Sequence, residues 1–220
     1  MQPIPDGEFT LRLFPLPNLV FFPATRLPLH VFEPRYRQLV SEALATDERI
    51  GMVLLKEGWE GDYYGNPPIH PVGTLGRIEQ SVRLEDGRYN LLLGAEVRFR
   101  IVGENEPAPY RTARAIAHPE TTPPAVEAWG RREWLVELAR RYLEMLPGRM
   151  DVPELETAGL EALTNALAMS LNVPAAEKQG LLELDDLLVR SDRVASLLEE
   201  RLEQAEFLGP FRRETDPNLN

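Results

Sequence analysis

Apolar and polar positions follow two different periods along this chain, and the change falls near residue 120. Up to that point short apolar runs alternate with Gly, Pro and Asp clusters, the pattern of strands joined by turns. Leu11–Leu16, Leu19–Phe22, Leu27–Phe32, Ile50–Leu55, Val72–Leu84 and Tyr89–Leu93 read as strands. Asp86-Gly87 supplies a tight hairpin turn between the last two, and Gly94 marks a bulge or bend. Val97, Phe99 and Ile101 alternate with Glu96, Arg98 and Arg100, predicting a half-buried strand, and Tyr110–Ala117 predicts one more. One helix interrupts the series. It opens at Glu33-Pro34, with proline at the first helical position, and places Tyr36, Leu39, Val40, Ala43 and Leu44 on one face.

Beyond residue 120 the apolar spacing is helical. Leu135, Leu138, Tyr142, Met145 and Leu146 form one stripe, and Leu160, Leu163, Leu167 and Leu171 a second. Pro174 opens a third helix running to about Leu184. Ser191 or Asp192 caps a fourth, with Val194, Leu197, Leu198, Leu202 and Ala205 inside. The pattern predicts about seven short strands and one helix as a closed or nearly closed barrel, then a small helical bundle. The segment HPETTPPA, residues 118–125, is the expected boundary. This gives a barrel subdomain over 1–118, a bundle subdomain over 119–208 and a polar tail over 209–220.

The most apolar early stretch, LFPLPNLVFFPATRLPLHVFEPRY (residues 13–36), carries five prolines: Pro15, Pro17, Pro23, Pro28 and Pro34. Proline lacks a backbone N–H and fixes φ, so the stretch can be neither a continuous strand nor a membrane span. It reads as short strands punctuated by turns.

Composition narrows the chemistry. There is no cysteine, which excludes disulfides, thiolate metal sites and a cysteine nucleophile, and which fits a reducing compartment. The net charge is −11, unevenly spread. Residues 1–118 hold 13 Lys and Arg against 15 Asp and Glu; residues 119–220 hold 11 against 20. An acidic surface of this kind disfavours nucleic acid as a partner. The first ten residues carry Asp6 and Glu8 and no cation, the wrong charge for a secretory leader, so the expected location is cytoplasmic.

The only lysines are Lys56 and Lys178, and neither follows glycine. No phosphate-binding G-x-x-x-x-G-K-[ST] loop is therefore present, and both lysines read as solvated surface charges. His30, His70 and His118 are far apart in sequence and form no H-E-x-x-H pattern. His30 reads as a satisfied histidine within an apolar strand, and the other two as surface residues beside prolines. Gly73–Gly76 (GTLG) is a lone G-x-x-G with almost no phosphate-binding content, and Asp185-Asp186 reads as a helix start or a solvated face. No nucleophile, base and oxyanion donor assemble, so the expectation is no enzyme, no cofactor and no metal. Trp59, Tyr63 and Tyr64 sit in a glycine-rich loop over residues 57–71. They either anchor a partner or pack as a small satellite core over the open end of the barrel.

At LPLHVFEPRYRQLVSEAL (residues 27–44) the chain closely resembles the N-terminal, substrate-binding domain of the Lon ATP-dependent proteases. The likeness continues through VGTLGRIEQSVRLEDGRYNLLLGAEVRFRIV (72–102) and, more weakly, AEKQGLLELDDLLVRSDRVASLLEERLE (176–203). It covers most of residues 10–205. The resemblance implies an α+β fold: a PUA-like pseudobarrel of short, mostly antiparallel strands with one helix, followed by a C-terminal helical bundle. Many family members carry F-P-G where this chain has Phe22-Pro23-Ala24, so left-handed freedom is not expected to be needed there. Lon continues into ATPase and Ser–Lys peptidase domains, which these 220 residues do not contain, so a free-standing binding domain is expected.

The implied function is a non-catalytic module that binds unfolded polypeptide or a protein partner, with a role as protease adaptor or regulator open. Candidate contacts are Phe32, Tyr36, Trp59, Tyr63 and Tyr64, with Glu33 and Arg35 orienting backbone or charge, or serving only the helix start. The alternatives are an RNA-binding module, since PUA-like barrels elsewhere bind RNA, and a small-molecule-binding domain.

Overall fold

Local proline chemistry and the sheet pattern account for each other in the computed structural model, which describes residues 3–105, 109–145 and 157–212. Among these, six strands rather than about seven are present: β1 (Glu8–Leu16), β2 (Arg26–Val31), β3 (Arg49–Leu54), β4 (Val72–Arg83), β5 (Tyr89–Glu104) and β6 (Thr112–Ala117). Helix α1 (Pro34–Leu44) lies between β2 and β3, and α2 (Ala125–Met145), α3 (Leu160–Ser170), α4 (Ala175–Glu183) and α5 (Leu187–Arg212) follow β6. The sheet order is β2-β5-β4-β3-β1-β6, and β5 also pairs with β6. That extra pairing closes the sheet on itself, because the 16-residue β5 is long enough to reach β2 with its first half and β6 with its second. Among the described strands only the β1–β3 pair is parallel. The architecture is an α+β pseudobarrel followed by helices.

Pro34 begins α1, and Pro17 and Pro23 fall in the bend and turn that lead out of β1 toward β2. Pro15 and Pro28 lie inside strands at tolerated positions. Pro15 follows the last β1 residue paired to β6, Arg12, and Pro28 lies on β2 at the end of the sheet order. Leu19–Phe22 is not a strand. Bracketed by two prolines, it crosses as irregular chain whose side chains divide: Phe21 enters the core beneath α1, while Val20 and Phe22 join the bundle core. Two of its carbonyls are served by threonine hydroxyls, that of Phe21 by Thr74 Oγ1 of β4 and that of Phe22 by Thr25 Oγ1.

Ala24, in the same turn, has φ +57°, so the left-handed conformation is required here after all. The expectation from Phe22-Pro23-Ala24 is overturned, and alanine bears a steric cost that glycine would not. Ala24→Gly is expected to raise the thermal midpoint by about 2 °C, the equivalent of roughly 0.5–1 kcal/mol, by differential scanning calorimetry. A lower midpoint would show that the strain is relieved elsewhere.

Three bulges bend β4 and β5, but none is at Gly94, which pairs regularly with Arg26 and Arg77. The register slips past Glu96 on β5 and past Glu79 on β4 where these two strands pair, and past Val102 on β5 where it pairs with β6. Glu96 then turns between two guanidiniums, accepting from Arg49 Nε at 2.7 Å and Arg77 Nε at 3.0 Å. Helix α5 begins at Leu187, earlier than the spacing suggests. Asp186 is its cap, its Oδ1 accepting from the N–H groups of Leu188 (2.8 Å) and Val189 (3.2 Å). The helix runs to Arg212, so the start of the expected tail is helical, while residues 213–220 and Leu146 lie outside the described residues.

Barrel and bundle meet across a polar seam that the strand alternation does not reveal. Arg98, on the polar side of β5, is 1% exposed rather than solvated. Its Nη1 donates to the carbonyls of Leu182 (2.9 Å) and Leu184 (3.0 Å), and its Nη2 to that of Pro119 (3.3 Å). From the other side Arg190 of α5, fully buried, donates to the carbonyls of Leu181 and Leu184. Two guanidiniums therefore cap the C-terminal end of α4, where helical carbonyls lack partners and the dipole is negative. Gln179 Nε2 adds a bond to the Val72 carbonyl at 3.0 Å. His70 and His118, expected at the surface, are half-buried in this seam beside Glu183 and Asp185. Lys178 is half-buried too, donating to the Met169 carbonyl at the end of α3, and burial pushes its ammonium pKa down.

Candidate functional site

The start of α1 and the loop after β3 build one cluster. Glu33 is extended (φ −66°, ψ 134°) and does not cap the helix with its side chain. Its carboxylate instead accepts from Tyr63 Oη at 2.7 Å and from Arg35 Nε at 3.1 Å. Arg35 Nη2 donates to the Tyr63 carbonyl, and the guanidinium faces three rings: Tyr36 at 4.6 Å, Tyr63 at 5.2 Å and Tyr64 at 5.8 Å. A short 3-10 helix, Trp59–Asp62, brings Trp59 edge-on to Tyr63, which meets Tyr64 edge-on in turn. Burial, and then the bond to Glu33, push the Tyr63 hydroxyl pKa up. Six of the seven expected contact residues thus form a continuous network around Arg35.

Their exposure differs sharply. Tyr36 is buried and stacks on Phe14 at 4.1 Å, and burial holds its pKa far above that of an ordinary phenol. Trp59 and Tyr63 pack partly against the barrel core, whereas Tyr64 is 84% exposed. Phe32, 61% exposed, stands apart from the network, 6.3 Å from the His30 ring. His30 is likewise exposed on the outer side of β2 rather than embedded in an apolar strand. Its Nε2 accepts from Arg88 Nη1, because a guanidinium only donates, and its Nδ1–H donates to Asn90 Oδ1 at 2.7 Å.

Beside Arg35 lies a cleft of about 260 Å³, lined by Arg35, Tyr36, Tyr64, Asn66, Tyr110 and Arg111 among others. Tyr110 and Arg111 form its far wall and had no signal in the sequence beyond the start of a strand. Tyr110 donates to Glu42, while Arg111 pairs with Glu104 and donates to the Pro67 carbonyl. Both arginines already hold a carboxylate, so the cleft offers aromatic faces and spare N–H and hydroxyl groups rather than uncompensated positive charge. A second concavity, about 660 Å³, runs between the turn at Ala24–Arg26 and the Ala158, Ala162, Ala166 and Met169 side of α3. Among the described residues no three His, Asp or Glu side chains converge as a metal-binding group, and no helix is long and apolar enough to cross a membrane.

A closed six-stranded pseudobarrel sealed to a helical bundle, with an aromatic cluster at the start of its barrel helix, defines an α+β domain of the Lon N-terminal kind. The chain belongs to the ATP-dependent protease La (LON) substrate-binding domain family, whose model matches residues 10–200. It is 33% identical over 207 residues to a Lon protease 2 of Myxococcus xanthus, covering 90% of this chain and 24% of that protein. It is 30% identical over 205 residues to a Lon protease of Anaeromyxobacter dehalogenans, with the same coverage. The chain thus spans about a quarter of the length of these relatives. A Lon N-terminal domain protein from Xanthomonas campestris shares the fold with a TM-score of 0.61 at 22% identity, covering 86% of this chain and 98% of that one. The N-terminal domain of a Mycobacterium avium complex Lon protease does so with a TM-score of 0.65 at 16% identity, covering 87% and 98%.

Proposed function

We propose that this chain is a non-catalytic, cytoplasmic polypeptide-binding module that holds extended segments of client proteins at the α1 cluster and its cleft. The family's substrate-binding role supports the class of ligand. The observation that carries the site is the convergence of aromatic residues on Arg35, with Tyr64 left 84% exposed at the mouth of the cleft. A pre-ordered aromatic surface loses little side-chain entropy on binding, and it accepts varied side chains because the contact is by area rather than by shape. Spare N–H groups of Arg35 and Asn66 suit backbone carbonyls, which every extended peptide supplies. Presenting bound segments to a protease, as an adaptor, is the further role this reading allows.

The test is fluorescence anisotropy with a labelled, permanently unfolded client. Tyr64→Ser combined with Phe32→Ser is expected to weaken binding about tenfold or more, the loss of two exposed aromatic side chains. Both side chains are exposed, so the thermal midpoint should hold within about 2 °C. Unchanged affinity would move the site elsewhere, and absence of binding by the unaltered protein would overturn the reading.

A further inference from the structure

The cleft beside Arg35 does not end at Tyr110. Tyr110 also lines a second concavity of about 520 Å³, together with Thr10, Arg12, Thr46, Asp47 and Thr112. Helix α1 runs past both. Arg35, Gln38, Glu42 and Thr46 recur at spacings of three and four, so they form one polar stripe along its side and into the turn that ends it. Arg35 stands at the first cleft, Thr46 at the second, and Glu42 between them accepts from the Tyr110 hydroxyl. The helix rises about 9 Å from Tyr36 to Glu42 and about 15 Å from Tyr36 to Thr46. An extended peptide spans those distances in about three and about five residues.

Charge is uneven along this track. At the first cleft Arg35 pairs with Glu33, and Arg111 with Glu104. At the second, Arg12 donates to Asp47 Oδ1 and to Thr46 Oγ1, both at 2.9 Å, and Arg114 farther along β6 pairs with Glu8 at 3.0 Å. Glu42 differs because the groups bonded to its carboxylate are neutral. One oxygen accepts from the Tyr110 hydroxyl and the other from Gln38 Nε2 at 2.9 Å. Those two bonds hold its pKa below the usual glutamate range, so at neutral pH it is ionised. One exposed negative charge thus stands midway along the track, beside an aromatic ring.

We propose that a client segment lies extended along α1, with an apolar or aromatic side chain in the cleft beside Arg35 and, about four residues away, a lysine or arginine at Glu42 and Tyr110. This rests on the polypeptide-binding reading above and adds a sequence preference to it. The carboxylate and the ring can both meet a cation, the first by a charge-assisted hydrogen bond and the second through its face. The hydroxyls of Thr46 and Thr112 continue the polar surface beyond it. An acidic side chain at the same place would meet like charge and bind less well. The net charge of −11 acts in the same direction, drawing basic segments toward the protein before any contact forms.

Anisotropy with fluorescein-labelled Ser/Gly peptides reads the preference. Each carries one central tryptophan, with lysine, glutamine or glutamate placed on both sides of it at one, four or seven positions. The symmetric placement makes the result independent of chain direction. With the substitution four positions out, the lysine peptide is expected to bind about three- to fivefold tighter than the glutamine peptide at low salt, the size of an exposed ion pair, and the gain should largely vanish at high salt. At one or seven positions the gain should be about twofold or less. Glu42→Gln keeps an acceptor for Tyr110 and removes the charge, so the lysine advantage should shrink to about twofold or less. Glu42→Lys, at an exposed position, should place the glutamate peptide ahead of the lysine peptide. Equal affinities for the three residue types at four positions, a lysine advantage that survives Glu42→Lys, or no binding of any peptide while the unfolded client still binds, overturns the track alone. Absence of binding to the client as well overturns the cleft reading and the track with it.

Discussion

The Arg98→Ala variant is expected to lose roughly 3–5 kcal/mol of folding stability, read as a lower urea midpoint at unchanged slope. The cost does not come from the ion pair with Asp185, because that carboxylate is 57% exposed and water replaces its partner readily. It comes from the carbonyls of Leu182, Leu184 and Pro119, which lose a charged donor, and from the space left at a fully buried position. Arg190 still serves Leu184, so the loss falls mainly on the other two. Arg98→Met separates the two contributions. It fills much of the space and removes the desolvation cost of the guanidinium, but it supplies no donor, so about half of the loss should remain. A loss below about 1 kcal/mol in both variants would mean that the seam carbonyls are served by water rather than by Arg98.

Arg98 also shows where the sequence stops being legible. In β5 it alternates with Val97 and Phe99 as a solvent-facing residue should, and a period of two carries no information about what covers the other face. The covering is α4, a helix more than 75 residues away whose C-terminal carbonyls need donors. Elements whose causes are local were readable: Pro34 at the start of α1, the Asp86-Gly87 turn with Gly87 at φ +81°, and the change of period near residue 120. Leu19–Phe22 misled because an apolar run between prolines gives the same pattern whether its side chains enter one core or two. The site divides in the same way. Glu33, Arg35 and Tyr36 are adjacent in sequence, and their loop partners stood out as aromatic residues among glycines. Tyr110 and Arg111 reach the cleft only because β6 closes the barrel beside β1.

Gly73→Ala is expected to cost roughly 3 kcal/mol or more, although the change adds one methyl group to a barrel strand. Gly73 pairs with Phe99 across β4 and β5, and the Phe99 ring lies over its α-carbon and over Gly51 on β3. A β-carbon at residue 73 would come within 2.8 Å of Phe99 Cζ and 2.7 Å of Val53 Cγ1, and would overlap the Met52 carbonyl oxygen. The ring can shift, but the carbonyl belongs to the backbone of the neighbouring strand and has no alternative rotamer. Opposing this, alanine restricts the unfolded chain and by itself would stabilise the protein by roughly 0.4–1 kcal/mol, so the measured loss understates the clash. Phe99→Leu in the same chain should relieve only the part due to the ring. A double-mutant cycle should then give a coupling of about 1 kcal/mol and leave the larger, backbone share of the loss in place. Full rescue by Phe99→Leu would mean that the ring alone demands the glycine. Partial rescue assigns Gly73 to packing, where it gives the Phe99 ring room and lets β3 and β4 stay paired; at the other end of GTLG, Gly76 lies against Phe21.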